Sequence, residues 1–541
     1  MVRHHTNTTV HRKFLKVYGV WLFVLGVLTI FYFYRNIQGT SSLPTEENDY
    51  YKESKQTDTF VFEGEKIVHL DLKGAPPKLI FYSELFPLLA ELGATGILIE
   101  YEDMFPYSGE LVNISAHNAY TLDDINTINN LANKHNLKVI PLIQTFGHME
   151  YVLKLAEFKE LREITAYPQV ICPTHQRTFT LIMTMLDQLI RAHPNIEMIH
   201  IGSDEVYYLG VCSRCSEFML KNNLSKNLLF TEHVNSVVGI INKNFPKLRV
   251  LLWDDQFRSF SSKDFEMANL NKNIEPTVWK YSRDVYDELG PSLWNGYQNI
   301  FPKIWIASAF KGATASNDFV SHITHYLQNH QSWLSVVQEY RNRINFQGII
   351  ITGWQRFDHF AILCELLPVG IPTLAMCLRI LLGFNDSPLS PPIEVAKLLK
   401  CEQPYALIGP VFGSPRCAFP GGDVLENVLH LQQLKQEYES IVDDSRVRGW
   451  MDDYNIARAF SSPSYVEAAT ESVDRLKFEL DQLDTDITEA LLKIYDEYTV
   501  EEWKETYLNP LRQKVNKLCR ARKILLEKDV WPRRPLKNDE L

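Results

Sequence analysis

The chain has 541 residues, 45% hydrophobic and 22% charged, enough to bury a large core and without the compositional mark of a disordered or fibrous protein. A formal net charge of −11 and a pI near 5.9 give no electrostatic basis for holding a polyanion, so nucleic acid is excluded as the expected partner. Eight cysteines in a chain of this length are too few for a disulfide scaffold, which leaves stability to the core.

The first element is an uncharged apolar run from Val17 to Tyr34, about long enough to cross a bilayer and preceded by Arg3, Arg12, Lys13 and Lys16. The positive-inside tendency predicts a cytosolic tail over 1–16, a transmembrane signal anchor over 17–34 and the rest of the chain on the lumenal side. A cleaved signal peptide fits less well, because the run ends in bulky Ile30 to Tyr34 with no small-residue cleavage site. Sequons at Asn7, Asn113, Asn223 and Asn385 fit a secretory chain, although Asn7 would lie on the cytosolic side. Residues 35–65 include a polar Ser, Thr, Glu and Lys-rich stretch that reads as a stalk.

From Lys66 onward short β-rich runs alternate with segments of helical periodicity. The expected strands are 67–72, 96–100, 138–143, 198–202, 248–253, 277–281, 304–308 and 348–352. Between two of them Thr121 to Asp124 offers a capping arrangement, followed by Leu122, Ile125, Ile128 and Leu131 at helical spacing. Eight βα units over 66–384 predict a (β/α)8 TIM barrel, in which the active site is assembled at the C-terminal ends of the strands. The remainder, 385–541, is a helical region whose apolar positions, as in 425–442 and 473–493, suit packing against the barrel.

Ile199 to Glu205 is an apolar strand that ends in two consecutive acids, Asp204 and Glu205. The backbone turns at a strand end, so both side chains can reach the barrel mouth. Adjacent carboxyls are poorly placed to flank a glycosidic bond as acid and nucleophile. A 2-acetamido sugar supplies its own nucleophile, the acetamide oxygen, and closes to an oxazolinium ion. Glu205 would then protonate the leaving oxygen and later activate water, while Asp204 would hold the acetamido N–H and offset the positive charge.

His200 to Glu205 resembles the catalytic segment of glycoside hydrolase family 20, the β-N-acetylhexosaminidases. Further segments extend the match in order: His69 to Ala75, Glu100 to Tyr107, Gln144 to Glu150, Trp253 to Asp255, Ala307 to Ala313 and Gly353 to His359. The likeness covers about 66–384, the whole expected barrel. It implies that Asp204 and Glu205 are catalytic and that the substrate is a terminal, non-reducing β-linked N-acetylhexosamine of a glycoconjugate, hydrolysed with retention.

Trp253, Trp279 and Trp354 fall at or just after expected strands, where indole faces could stack on a sugar and its acetyl methyl. His148 resembles the family histidine that pairs with an acid after the second strand, here Asp103 or Glu102, and orients Glu205. Asp71 and Lys73 are candidates for sugar hydroxyls, with a structural salt bridge as the equal alternative. The segment Ser308 to Gly312 lacks the tyrosine that in lysosomal members holds the acetamide oxygen; Tyr281 and Tyr207 are the candidate substitutes. Cys212 and Cys215 form a C-x-x-C, but a structural zinc takes four ligands and no second pair at ligand spacing lies nearby, so a loop disulfide or plain thiols is expected. The proposed chemistry uses neither metal nor organic cofactor.

An anchored lumenal glycosidase suggests the Golgi; without use of the helix the chain would be soluble in cytosol or nucleus. The rival functions are a catalytically silent sugar-binding barrel, which has no use for both acids, and a glycosidase with two separated carboxylates.

Overall fold

A computed structural model of the protein describes residues 60–383, 393–402 and 416–536. The expected tail, anchor and most of the stalk, together with the sequons at Asn7 and Asn385, lie outside the described residues. Among those residues no helix is long and apolar enough to cross a membrane.

Eight parallel strands close into a barrel in the order β1-β10-β9-β8-β7-β6-β3-β2. They are β1 (Glu65–Asp71), β2 (Gly96–Glu100), β3 (Lys138–Leu142), β6 (Met198–His200), β7 (Arg249–Trp253), β8 (Ile274–Trp279), β9 (Ile304–Lys311) and β10 (Phe346–Gly353). A two-stranded antiparallel hairpin of β4 (Arg162–Ile164) and β5 (Tyr167–Ile171) interrupts the βα alternation between β3 and β6. The lumen is packed with Ile67, Leu98, Ile140, Leu251, Trp305 and Ile350 among others, so the barrel is solid rather than a pore. At its N-terminal end Glu275 accepts from Arg249 Nε (2.8 Å) and from the Trp305 indole (2.9 Å).

All eight expected strands are present, β2 with the expected ends and the others with shifted ones. β8 begins three residues before the expected 277, because Pro276 argues against a strand interior; the proline is tolerated opposite Leu252 in the parallel ladder. β6 stops at His200 because Gly202, Ser203 and Glu205 turn to φ of 63°, 69° and 47°. The expected stalk ends earlier than residue 65, since Phe62 is already buried and its N–H donates to Leu381 O (2.9 Å). The β4–β5 hairpin lies outside the expected strands, being only three and five residues long and without apolar alternation.

Thr121 caps helix Leu122–Lys134 reciprocally: its hydroxyl accepts from Asp124 N–H (3.1 Å), and the Asp124 carboxylate accepts from Thr121 N–H (2.8 Å). The last barrel helix, Leu367–Leu381, is buried at every position. Helix Gly422–Asp443 packs on it and also pairs with Val473–Ile494. The C-terminal helices also reach the catalytic end: Arg356, after β10, forms a two-pronged pair with Glu502 (2.5 and 2.6 Å).

Candidate active site

A cavity of about 190 Å³ opens at the C-terminal ends of the strands. That is smaller than the pockets of about 300–1,000 Å³ that take drug-sized ligands, and suits one sugar ring rather than a chain. Trp253, Trp279 and Trp354 form its apolar walls, and Lys73, His148 and Tyr281 add polar surface. Trp253 continues the packed lumen, with its ring 5.9 Å from that of Trp354, and makes the floor. Tyr281 stacks on Trp279 at 5.3 Å.

Asp204 and Glu205 both line the cavity, and the turn after β6 explains how neighbours in sequence do so. Gly202 sits at positive φ with its Cα so close to Gln144 that an added Cβ would lie 1.9 Å from Oε1. Gln144 in turn donates from Nε2 to Asp204 Oδ1 (3.2 Å), while its Oε1 accepts from Ser203 N–H (3.2 Å). The Glu205 N–H donates to Asp255 Oδ2 (3.0 Å), and the other Asp255 oxygen lies 3.5 Å from the Trp279 indole nitrogen. Gln144 and Asp255 thus position the acids, roles that sequence reasoning did not assign although both residues stand in the family-like segments.

His148 Nε2 lies 3.2 Å from Glu205 Oε2 and 3.7 Å from Asp204 Oδ2, and its Nδ1 is 3.8 Å from Glu150 Oε1. Burial alone would lower the imidazole pKa, but the charges of Asp204 and Glu150 and the hydrogen bond to Glu205 lift it to about 10. Burial raises Asp204 from 3.8 to about 7 against the pull of His148. The hydrogen bond from His148 holds Glu205, the more exposed of the two, below its ordinary value despite partial burial.

The expected partner of His148 is corrected: neither Asp103 nor Glu102 faces it, and Glu150 does. Glu102 pairs with His359 Nδ1 (2.9 Å), and Asp103 with Lys154 (3.3 Å). Neither lines the cavity, although Glu102 also lies 3.8 Å from Lys73 Nζ. Asp71 is likewise withdrawn from the cavity. It accepts from Gln355 N–H (2.7 Å) and pairs with Lys73 Nζ (3.1 Å), which also contacts Glu100 (3.1 Å) and lies 5.0 Å over the Trp354 ring. Lys73 therefore belongs to a buried ion network and reaches the cavity at the same time. Tyr207 is exposed at the rim.

Cys212 and Cys215 are plain thiols, the second of the two expected forms, and not a loop disulfide. No second pair at ligand spacing lies near them in the sequence, but the fold brings Glu163 of β4 and Cys172, just after β5, to face them.

A packed barrel whose mouth holds two carboxyls and an indole-walled cavity for one ring is the architecture of a glycoside hydrolase. The chain belongs to glycosyl hydrolase family 20, whose catalytic-domain profile matches residues 81–355, and its activity is that of a β-N-acetylhexosaminidase, hydrolysis of terminal β-N-acetylhexosamine. It is 37% identical to human (Homo sapiens) Hexosaminidase D over 84% of this chain and 93% of that protein. It is 44% identical to Hexosaminidase D of Bos taurus over 59% of this chain and 92% of that one. A solved β-N-acetylhexosaminidase from Bacteroides fragilis superposes with a TM-score of 0.46 at 13% identity, over 60% of this chain and 67% of that one.

Proposed function

We propose that the protein hydrolyses its substrate with retention, through an oxazolinium intermediate formed by the sugar's own acetamide. The observation that carries this reading is the approach of Asp204 and Glu205 to one imidazole nitrogen, at 3.7 and 3.2 Å. Two carboxyls gathered on one side of the cavity do not flank the scissile bond from opposite faces, so the attacking group comes from the substrate. Glu205, nearer solvent, protonates the leaving oxygen as the acetamide oxygen bonds to the anomeric carbon. It then takes a proton from the water that opens the ring. Asp204, buried beside Gln144, accepts the acetamide N–H and balances the cation. Tyr281 is the tyrosine that lines the cavity, which favours it over rim-exposed Tyr207 as donor to the acetamide oxygen. The indoles of Trp253, Trp279 and Trp354 hold the ring and its methyl.

Both N-acetylgalactosaminides and N-acetylglucosaminides fit this mechanism, and their relative rates name the preferred sugar. The test uses the full chain on paired aryl β-glycosides, with a thiazoline mimic of the intermediate and the product anomer read by NMR. A β-anomer as first product and tight inhibition by the mimic are expected. An α-anomer, or indifference to the mimic, would overturn the mechanism.

We further propose a secretory-pathway membrane, with the Golgi first, and a lumenal catalytic domain anchored by 17–34. Support comes from the apolar run, the Cys401–Cys417 disulfide, and the exposure of Asn113 and Asn223. Endoglycosidase-sensitive mass on the expressed chain, protected from protease in intact membranes, is expected; an unglycosylated, protease-accessible chain would refute it.

A further inference from the structure

The β4–β5 hairpin and the loop after the catalytic acids meet in a cluster that the glycosidase chemistry does not use. Cys172 follows β5, Glu163 lies in β4, and Cys212 and Cys215 open helix Ser213–Asn222. One ligand atom from each lies within 4.8 Å of all the others. The Cys172 sulfur is 3.5 Å from Cys212 Sγ and 3.5 Å from Cys215 Sγ, and Cys215 Sγ is 3.1 Å from Glu163 Oε2. These separations are far beyond a disulfide bond of about 2.05 Å. They approach the edges of a tetrahedron about a zinc ion, roughly 3.8 Å between sulfurs for Zn–S bonds of about 2.3 Å.

Two further observations point to a cation. Glu163 is 3% exposed, and its hydrogen-bond partners are the backbone N–H groups of Val211 (2.7 Å) and Cys212 (3.0 Å) and the Cys215 thiol, none of them cationic. A buried carboxylate without a countercharge is costly unless a metal supplies one. Its Oε1 is occupied by the two N–H groups, which leaves Oε2 aimed at the sulfurs. The C-x-x-C adopts a turn in which Cys215 N–H donates to Cys212 Sγ (3.3 Å), the bond that orients and stabilises a thiolate ligand. Arg214 Nε lies 3.5 Å from Cys172 Sγ and would offset the excess negative charge that three thiolates and a carboxylate would carry around a divalent ion. Odd sulfur number counts against the rival reading, since a disulfide accounts for two of the four groups. The other acid–histidine cluster, Glu102, Asp103 and His359, already holds a cation, because Lys154 Nζ sits 2.6 Å from His359 Nε2 and 3.3 Å from Asp103.

We propose that Cys172, Cys212, Cys215 and Glu163 bind a structural zinc ion that ties the β4–β5 hairpin to the loop carrying the catalytic acids. The thiols release their protons to solvent as the metal binds. The four protein ligands close the site, which makes the role structural. The hairpin also reaches the His148 loop: Met149 N–H donates to Gln169 O (2.9 Å) and Ile171 N–H to Phe146 O (3.2 Å). One metal would therefore brace both loops that position Glu205.

The test is metal analysis of the full chain purified without chelator from zinc-supplemented cells. One zinc per chain is expected, with Cys172, Cys212 and Cys215 unreactive towards a thiol reagent until a strong chelator is added. Exchange with Co(II) should give the thiolate charge-transfer and ligand-field bands of a tetrahedral site. Cys172→Ser and Cys215→Ser should lose the metal; the milder Glu163→Gln, which keeps the side-chain shape, should bind zinc at least tenfold more weakly. Substoichiometric zinc in the natural chain with the three thiols immediately reactive, or a mapped disulfide between any two of them, would overturn the proposal.

Discussion

In the free pocket burial raises Asp204 to about 7, while the hydrogen bond from His148 holds Glu205 below its ordinary value. Below about pH 10 His148 is charged, and between the lowered pKa of Glu205 and about 7 for Asp204 the pair carries one proton, mainly on Asp204. The proposed mechanism uses the other placement, with Glu205 protonated and Asp204 ionised. The two placements contain the same number of protons, so pH does not separate them; the acetamide N–H, donated to Asp204, and the aglycone, covering Glu205, do. The last proton leaves as pH rises through about 7, so kcat/KM should fall above that pH. A profile that stays level well above it would contradict the assignment. Asp204→Asn should lower kcat by about 10²–10⁴-fold on every leaving group, whereas Glu205→Gln should lose that much only where the leaving group needs protonation. Comparing an activated aryl glycoside with a disaccharide reads the difference. Gly147 has a purely steric role, because a Cβ there would sit 2.0 Å from the Asp204 carbonyl oxygen. Gly147→Ala should displace the acid loop and cost about 10²-fold in kcat, with the melting temperature reporting whether the fold survives.

Among the elements, the loop after β10 depends on helix Glu497–Trp503. Arg356 donates to Lys73 O (2.9 Å), to Ala361 O (2.8 Å) and to both Glu502 oxygens, which links the first and last barrel loops to the C-terminal helices. Glu502 is partly exposed, but Arg356 is mostly buried, so removing the acid strands a cation. Glu502→Ala should cost about 1–3 kcal/mol, read as a lower urea midpoint at unchanged m-value. KM should rise as well, since Trp354 and the Lys73 network flank this loop. The strand ends were harder to foresee than the strands. Alternation of apolar runs locates the eight barrel strands but not the β4–β5 hairpin, Pro276 hides the start of β8, and the positive-φ turn after His200 shortens β6.

Across the whole molecule, the barrel and the C-terminal helices share one core. Helix Leu367–Leu381 is buried on every side because it faces the barrel on one flank and helix Gly422–Asp443 on another. A chain cut after residue 383 would expose that flank as a large apolar patch, and should aggregate when its size is measured by chromatography; a soluble, cooperatively unfolding fragment would refute this. The amino-acid sequence by itself determined the alternation of strands and helices, hence the closed barrel, and the placing of Asp204, Glu205 and the three indoles at its catalytic mouth. Those properties follow from local periodicity and from the rule that a barrel presents its strand ends together. Only the tertiary structure decided that Glu150 rather than Glu102 or Asp103 faces His148, and that Asp71 is spent on Lys73 and Gln355. It alone brought Cys172 and Glu163 to a C-x-x-C 40 residues or more away. Side-chain type limits what a residue can bind, but which partner it meets depends on the path of loops that no local pattern encodes.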